Sequence, residues 1–137
     1  MNDCIFCGIV AGKIPAQVVY ENANSIAFLD IKPNNPGHTL VIPKEHTENI
    51  YTMQEETACE IIKSVKHLAP IIKKAVEADG INIAMNNERA AGQVIFHAHV
   101  HIIPRFNEDG LKHWRTIGYK SGEVETIAEK IRSYILA

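Results

Sequence analysis

The first third of the chain alternates short β-favouring runs with turn residues. Val, Tyr, Ile and Phe are concentrated at 17–21 and 25–30, and two asparagines and an alanine separate these runs, so the pattern predicts a β-hairpin. The turn sequence Pro-Asn-Asn-Pro-Gly at 33–37 precedes another β-rich run, 38–43, which ends in proline. This part of the chain is therefore predicted to form three antiparallel strands.

A helical pattern dominates the middle of the chain, from 55 to 79, and Gly80 follows as a stop signal. Apolar residues recur there at intervals of three and four, which is typical of an amphipathic helix. The apolar positions are Ala58, Ile61, Ile62, Val65, Leu68, Ala69, Ile72, Ala75 and Val76. Pro70 removes one backbone hydrogen bond within this helix, so we expect a kink or a break there.

Two further strands and a last helix are predicted in the second half. Residues 81–86 alternate in polarity, and 94–104 is a longer β-rich run. Helical spacing from Val124 to Ile135 predicts a C-terminal helix at about 122–136, whose first turn carries acidic residues near its positive end. We expect an α+β fold, an antiparallel sheet of five strands with helices on one face.

Composition places the chain with ordinary globular proteins. Its 137 residues are 46% hydrophobic and 22% charged, and this length suits a single domain over 1–137. The formal net charge of −2 provides no basic field for a polyanion, so nucleic-acid binding is not expected. No apolar run approaches the ~20 residues of a bilayer span, and the N-terminus lacks the order of a signal peptide. We therefore expect no membrane partner and a cytoplasmic location.

Three of the seven histidines, His97, His99 and His101, alternate along one predicted strand. Alternate side chains of a strand share a face, so the three imidazoles should project to one side. The backbones of His97 and His101 would be ~13 Å apart, whereas zinc ligands converge to ~2.1 Å from one ion, so a single metal cannot readily bind all three. Such a row has low β propensity and no evident packing benefit, which favours a chemical role.

Two cysteines near the N-terminus, Cys4 and Cys7, have the spacing of a zinc knuckle or a redox pair. On that spacing alone, zinc is only modestly favoured over free thiols. A structural zinc site needs four ligands and the sequence has no second cysteine pair, so two histidines would have to complete it. The third cysteine, Cys59, is expected to be a buried or inert thiol.

Together, these blocks resemble the histidine triad (HIT) family of nucleotide hydrolases and transferases. In that family's order, the matching blocks are Cys4-Ile-Phe-Cys7, Ile14-Pro15, Phe28-Leu-Asp-Ile31, Pro36-Gly-His-Thr-Leu-Val-Ile-Pro-Lys44, Asn86, Gly92-Gln93 and His97-Ala-His-Val-His-Ile-Ile103. The resemblance covers about 4–105 and is closest to the Hint-like branch, small homodimers that act on purine nucleoside phosphoramidates and related nucleotides. It implies a HIT-like fold with one long helix, a C-terminal helix and short helical segments.

Imidazole chemistry and the resemblance together predict three catalytic residues. His99 is the expected nucleophile, because a neutral imidazole, with a pKa of ~6.5 in water, can attack the α-phosphorus and form a nucleotidyl-histidine intermediate. His101 and His38 would contact the phosphate oxygens or the leaving group as charge develops.

The resemblance also implies a nucleotide site. Asp30 would accept hydrogen bonds from both ribose hydroxyls, and Asn86 would approach the sugar and phosphate. The expected apolar pocket for the base consists of Phe6, Ile9, Phe28 and Ile31, which by pattern alone would be assigned to the core. Gly92 would belong to the same site, in a loop where the backbone amides of Gln93 and Val94 would hold phosphate oxygens, although Val94 lacks the hydroxyl that some relatives carry there.

For the zinc, the resemblance points to His46 and His97 as the two ligands that complete the Cys4 and Cys7 pair. One structural zinc per chain would then tie the N-terminal segment to the sheet. Two other hypotheses stay open: a metal-dependent hydrolase that uses the histidine row, and a nucleotide-binding partner protein with little turnover. The leaving group is also open, because phosphoramidates, dinucleoside polyphosphates, adenylyl sulfate and aminoacyl adenylates all present the same α-phosphate.

Overall fold

The structure is a computed structural model that describes residues 3–137. In chain order, the elements are helix α1 (Ile5–Val10), strands β1 (Val18–Glu21), β2 (Ser25–Leu29) and β3 (Thr39–Pro43), helix α2 (Glu55–Ala75), strand β4 (Gly80–Met85), a 3₁₀ turn (Arg89–Ala91), strand β5 (Val100–Arg105) and helix α3 (Glu123–Ile135). The five strands form one antiparallel sheet in the order β1-β2-β3-β5-β4. The predicted α+β class and antiparallel sheet are confirmed.

The sheet has an apolar core on each face, because successive side chains of a strand point to opposite sides. Val41 of β3 packs in the cluster that contains Ile61 and Leu68 of α2. Its neighbour Leu40 packs in a second cluster with Phe6 of α1. Helices α1 and α2 therefore lie on opposite faces, and the expectation that the helices share one face is wrong. At six residues, α1 is too short to show a helical period in the sequence.

Helix α2 is continuous through Pro70, so the expected break is absent. Pro70 lies on the exposed side of the helix, where water can solvate the carbonyl that its ring leaves unbonded. The helix ends at Ala75 because Glu77 adopts a left-handed conformation, with φ of 55°. The bonds Ala78 N–H to Lys73 O (2.9 Å) and Glu77 N–H to Lys74 O (3.3 Å) then form a Schellman motif, four residues before the predicted end at 79.

Strand β5 begins at Val100, six residues later than the predicted start at 94. The backbone N–H of Ala98 donates to the carbonyl of Thr47 at 2.7 Å and not to a neighbouring strand. Consequently only His101 of the histidine row belongs to the strand, while His97 and His99 lie in an irregular segment before it.

The C-terminal helix forms as predicted, but no residue of α3 is buried. Cys59 is exposed on α2, which corrects the expectation of a buried thiol. Within residues 3–137, none of the helices combines the length and the apolar character that a bilayer crossing requires.

Candidate active site

Three histidine rings form a contiguous cluster at the junction of β3 and β5. His38 immediately precedes β3, His101 lies on β5, and His99 precedes that strand. The ring centroid of His101 is 5.0 Å from that of His99 and 5.1 Å from that of His38. The sheet brings together side chains that are 61 and 63 positions apart in sequence (99 − 38 and 101 − 38).

The carbonyl of His97 fixes the orientation of the His99 ring. It lies 2.7 Å from Nδ1 of His99, and a carbonyl can only accept, so Nδ1 carries the proton. The other ring nitrogen, Nε2, then keeps its lone pair. His99 is buried, packs edge-on against Phe6 at 5.3 Å between centroids, and lines a cavity. This arrangement supplies an oriented nitrogen nucleophile.

Burial keeps these rings neutral at physiological pH. It lowers the pKa of His38, and the carboxylate of Asp30, 3.7 Å away, only partly opposes this effect. It also lowers the pKa of His99. Burial, followed by the neighbouring rings of His99 and His38, lowers the pKa of His101 to about 4. Only a neutral ring can act as a nucleophile, and it still keeps one N–H as a donor.

A cavity of about 560 Å³ adjoins His99 and His101. Eight of the predicted nucleotide-binding residues line it: Phe6, Ile9, Phe28, Asp30, Ile31, Asn86, Gly92 and Val94. Phe6 and Phe28 are buried and meet edge-to-face at 5.4 Å, so they serve both the core and the cavity wall. The size and the mostly apolar wall suit a small organic ligand.

Gln93 is the one predicted nucleotide-binding residue that lies outside this lining. Its buried side chain accepts from the N–H of Glu88 at 2.8 Å and donates to the carbonyls of Glu48 (2.6 Å) and Ile95 (3.1 Å). Its own backbone N–H donates to Glu88 O at 3.0 Å. Gln93 therefore holds the loop in shape, and its amide is already engaged within it.

Several residues near the site were given no role from the sequence. The cavity wall also includes Ile5, Ile14, Pro15, Ala16, Leu29, Lys32, Leu40 and Ile95. A second cavity of about 490 Å³ shares His101 and Asn86 with the first and is lined by Asn34, Asn82, Ile83, Ala84, Ile103, Arg105, Leu111, Lys112, His113 and Trp114. Only the turn pattern at 33–37 could have drawn attention to Asn34.

The four predicted zinc ligands lie close together in the structure. The ligand atoms of Cys4, Cys7, His46 and His97 all lie within 4.8 Å of one another. Nδ1 of His97 is 3.5 Å from Sγ of Cys4 and 3.6 Å from Sγ of Cys7, and Nδ1 of His46 is 3.3 Å from Sγ of Cys7. Sulfur and nitrogen ligands of one tetrahedral zinc are about 3.6 Å apart, given bond lengths of about 2.3 and 2.1 Å.

The ring of His97 is in the tautomer that a metal ligand needs. Its Nε2 lies 2.8 Å from the carbonyl of Pro43 and therefore carries the proton, which leaves a lone pair on Nδ1 toward the sulfurs. The donor set, its spacing and the fixed tautomer all fit zinc. Asp30, His38 and His101 also lie within 4.8 Å of one another. However, the 2.8 Å separation of Nε2 of His38 from Nδ1 of His101 is a hydrogen bond, because two nitrogens on one zinc would be about 3.4 Å apart.

A family model for the HIT domain matches residues 11–108. The chain belongs to the HIT family. The resemblance noted in the sequence is thereby confirmed.

HIT proteins with and without a named activity are similar to this chain. An uncharacterised HIT-like protein of Methanocaldococcus jannaschii is 52% identical over 107 residues, which cover 78% of this chain and 82% of that protein. The adenosine 5'-monophosphoramidase hnt1 of Schizosaccharomyces pombe is 41% identical over 134 residues, 96% of this chain and 98% of that protein. The adenylylsulfatase HINT3 of Arabidopsis thaliana is 42% identical over 114 residues, 80% of this chain and 56% of that protein.

Solved HIT structures share the fold. A Streptococcus mutans protein superposes with a TM-score of 0.92 at 45% identity, covering 98% of this chain and 87% of that chain. A zinc-bound histidine triad family protein from Mycobacterium smegmatis has a TM-score of 0.78 at 36% identity, covering 97% of this chain and 98% of that chain.

Proposed function

We propose that this HIT protein is a hydrolase or transferase that acts at the α-phosphate of purine nucleotides through a nucleotidyl-histidine intermediate. The proposal rests mainly on the His99 ring. Its Nδ1–H donates to the His97 carbonyl at 2.7 Å, and the ring lines a nucleotide-sized cavity. The relatives named as an adenosine 5'-monophosphoramidase and an adenylylsulfatase support this reaction class.

In the first step, the lone pair on Nε2 of His99 forms a bond to the α-phosphorus. The bond from phosphorus to the leaving group breaks, and its electron pair departs with that group. A proton on Nε2 of His101 can pass to the leaving amine or stabilise a leaving anion. In the second step, water attacks the phosphorus and the P–N bond returns its electron pair to His99. The water proton passes to Nε2 of His101 where that nitrogen protonated the leaving group in the first step, and to solvent where it kept its proton.

The cavity supports nucleotide binding by this HIT protein at three points. Asp30 lines the cavity, and its carboxylate can accept hydrogen bonds from ribose hydroxyls, while Phe6 and Phe28 offer an apolar wall for a purine base. The loop at Gly92 and Val94 borders the same cavity. The N–H of Gly92 donates to Arg89 O at 2.9 Å, so Val94 is the residue whose amide we assign beside the expected phosphate position. We assign these groups to the ribose, the base and the phosphate, respectively.

The second cavity offers room for the leaving group, because it adjoins the first at His101. Its size accommodates an amine, a phosphate or a sulfate without a change in the nucleotide-binding part. This supports a family of substrates that share a nucleoside 5'-phosphoryl group and differ in what is attached to it.

We propose that Cys4, Cys7, His46 and His97 hold one structural zinc, as their spacing and the zinc-bound relative support. The metal would supply a link between the N-terminal segment and the sheet. We also propose a homodimer, because the apolar residues of α3 are exposed in the single chain; they include Val124, Ile127, Ile131 and Ile135.

Release of AMP from adenosine 5'-phosphoramidate tests the function, with turnover and thermal unfolding measured before and after chelation. We expect chelated protein that remains folded to keep its turnover. Loss of all turnover with the fold intact would favour the metal-dependent hydrolase. Tight binding of AMP without turnover of any substrate in a panel of phosphoramidates, dinucleoside polyphosphates and adenylyl sulfate would favour the binding protein.

A further inference from the structure

The proton positions of His38 and His101 follow from one backbone amide. The N–H of Asn34 donates to Nδ1 of His38 at 3.0 Å, so this nitrogen is bare and the neutral ring carries its proton on Nε2. Nε2 of His38 lies 2.8 Å from Nδ1 of His101. The Asp30 oxygen at 3.7 Å is too distant to take this proton in a hydrogen bond.

The hydrogen-bond chain continues through the ring of His101. Because His38 donates from Nε2, Nδ1 of His101 must accept, and the neutral ring of His101 then carries its proton on Nε2. This Nε2 is buried and has no hydrogen-bond partner among residues 3–137. Buried N–H groups are nearly always paired in folded proteins. An N–H left unpaired beside the substrate cavity is therefore a donor reserved for a ligand.

The amide of Asn34 is held in place by its neighbour Asn35. The two N–H groups of the Asn35 side chain donate to the carbonyl of Pro104 at 2.9 Å and to Oδ2 of Asp109 at 3.0 Å. Asp109 is itself fixed by a two-pronged contact with Arg105, from Nε at 2.8 Å and Nη2 at 3.0 Å. Asn35 thus clamps the turn before His38 to the end of the strand that carries His101.

Two further features restrict the conformation of this turn. The N–H of His38 donates to the carbonyl of Asn35 at 3.1 Å, which closes the turn. Gly37 has φ of 90°, and a Cβ there would come within 2.8 Å of Val76 and 3.2 Å of Pro104. The turn therefore packs directly against the end of β5, and Asn35 supplies the side-chain hydrogen bonds across that contact.

We propose that Asn35 is a positioning residue that sets the direction of the hydrogen-bond chain from Asn34 through His38 to His101. The clamp keeps the Asn34 amide on Nδ1 of His38, so that His101 presents Nε2–H, and not a bare nitrogen, to the phosphate or leaving group. The last clause rests on the proposed function. The tautomers themselves are a property of the protein without nucleotide.

Nitrogen-15 NMR of the histidine rings in the wild-type, zinc-loaded protein tests the chain without any substrate. Expected are a bare Nδ1 and a protonated Nε2 for both His38 and His101. A bare Nε2 on His101 would overturn the proposed direction, whether or not the protein hydrolyses nucleotides. Because this spectrum needs no turnover, its failure is separate from failure of the proposed function.

The role of Asn35 is tested by Asn35→Ala, with Asn107→Ala as the control. Asn107 is exposed at the same end of the sheet. In Asn35→Ala, we expect mixed tautomers for His38 and His101 and a fall in kcat of about tenfold to a hundredfold, with KM within about twofold. Unchanged ring spectra and kcat would overturn the positioning role. If Asn35→Ala does not fold, Asn35→Leu removes both N–H donors with the side-chain volume nearly kept, and the same two results decide.

Discussion

His97 and His99 are two residues apart and have opposite chemistry. Both rings donate one N–H to a backbone carbonyl, but His97 uses Nε2, toward Pro43, and His99 uses Nδ1, toward His97 itself. The bare nitrogen of His97 therefore meets two cysteine sulfurs, and the ring of His99 lines the cavity of about 560 Å³. A backbone carbonyl therefore fixes the tautomer of each histidine and so determines which ring nitrogen keeps its lone pair.

Removal of the His99 imidazole should have the largest effect, because it deletes the proposed nucleophile of the cavity region. We expect His99→Ala to lower turnover by about a thousandfold or more, while AMP affinity and melting temperature change little. Steady-state kinetics, nucleotide titration and thermal unfolding measure the three quantities. His67→Ala, at an exposed position of α2, is the control. Turnover of His99→Ala within tenfold of the wild type would remove His99 from this role.

Asp30→Ala should weaken the binding of ribonucleotides in the same cavity. A carboxylate that accepts from ribose hydroxyls contributes about 1.5–3 kcal/mol through charged hydrogen bonds. The affinity for AMP should therefore fall about tenfold or more, and the affinity for 2'-deoxy-AMP should fall less. Calorimetric titration of both nucleotides provides the comparison. Equal losses would contradict the ribose assignment.

Substitution of a zinc-binding cysteine should lower the stability of the protein and leave its turnover unchanged. Because the sheet has its own core, zinc loss should lower the melting temperature of Cys4→Ser by about 5–10 °C without unfolding the chain. Cys59→Ser is the control, since that thiol is exposed. Calorimetry and elemental analysis measure the two quantities. A wild-type protein without zinc, prepared without chelator and with both thiols free, would contradict the site.

Acid should destabilise the fold through the cluster of His38, His99 and His101. The pKa of His101 is about 4 in the folded protein and about 6.5 in an unfolded chain, so the unfolded state takes up the proton first. The stability is complete above about pH 6.5 and is lost as the pH falls toward about 4. Denaturant unfolding across this range should show a weaker pH dependence for His101→Gln than for His67→Gln. Equal slopes would contradict the burial argument.

The sequence predicted most of the sheet and both long helices, because alternation and helical spacing are local signals. The start of β5 was predicted too early, since the bond from Ala98 to Thr47 joins segments that are far apart in sequence. The left-handed conformation of Glu77, which ends α2 early, is also invisible in a residue type that seldom adopts it.

For the site, residue types and the HIT resemblance named the groups, but the sequence could not give their proton positions. Those depend on carbonyls and amides of other segments, such as Pro43 for His97 and Asn34 for His38. The position of Gln93 could not be predicted for the same reason. Its side chain donates to the carbonyls of Glu48 and Ile95 and does not line the cavity. Backbone hydrogen-bond partners across the fold are a property of the tertiary structure.

Nucleophilic catalysis by His99 is tested most directly by mass spectrometry of the intact protein. The protein is exposed briefly to adenosine 5'-phosphoramidate, the reaction is quenched, and any adduct is then fragmented to locate it. We expect one added adenylyl group per chain, attached to His99 and absent from His99→Ala, while His67→Ala retains it. An adenylyl group on His97 or His101, or turnover with no adduct at any quench time, would contradict nucleophilic catalysis by His99.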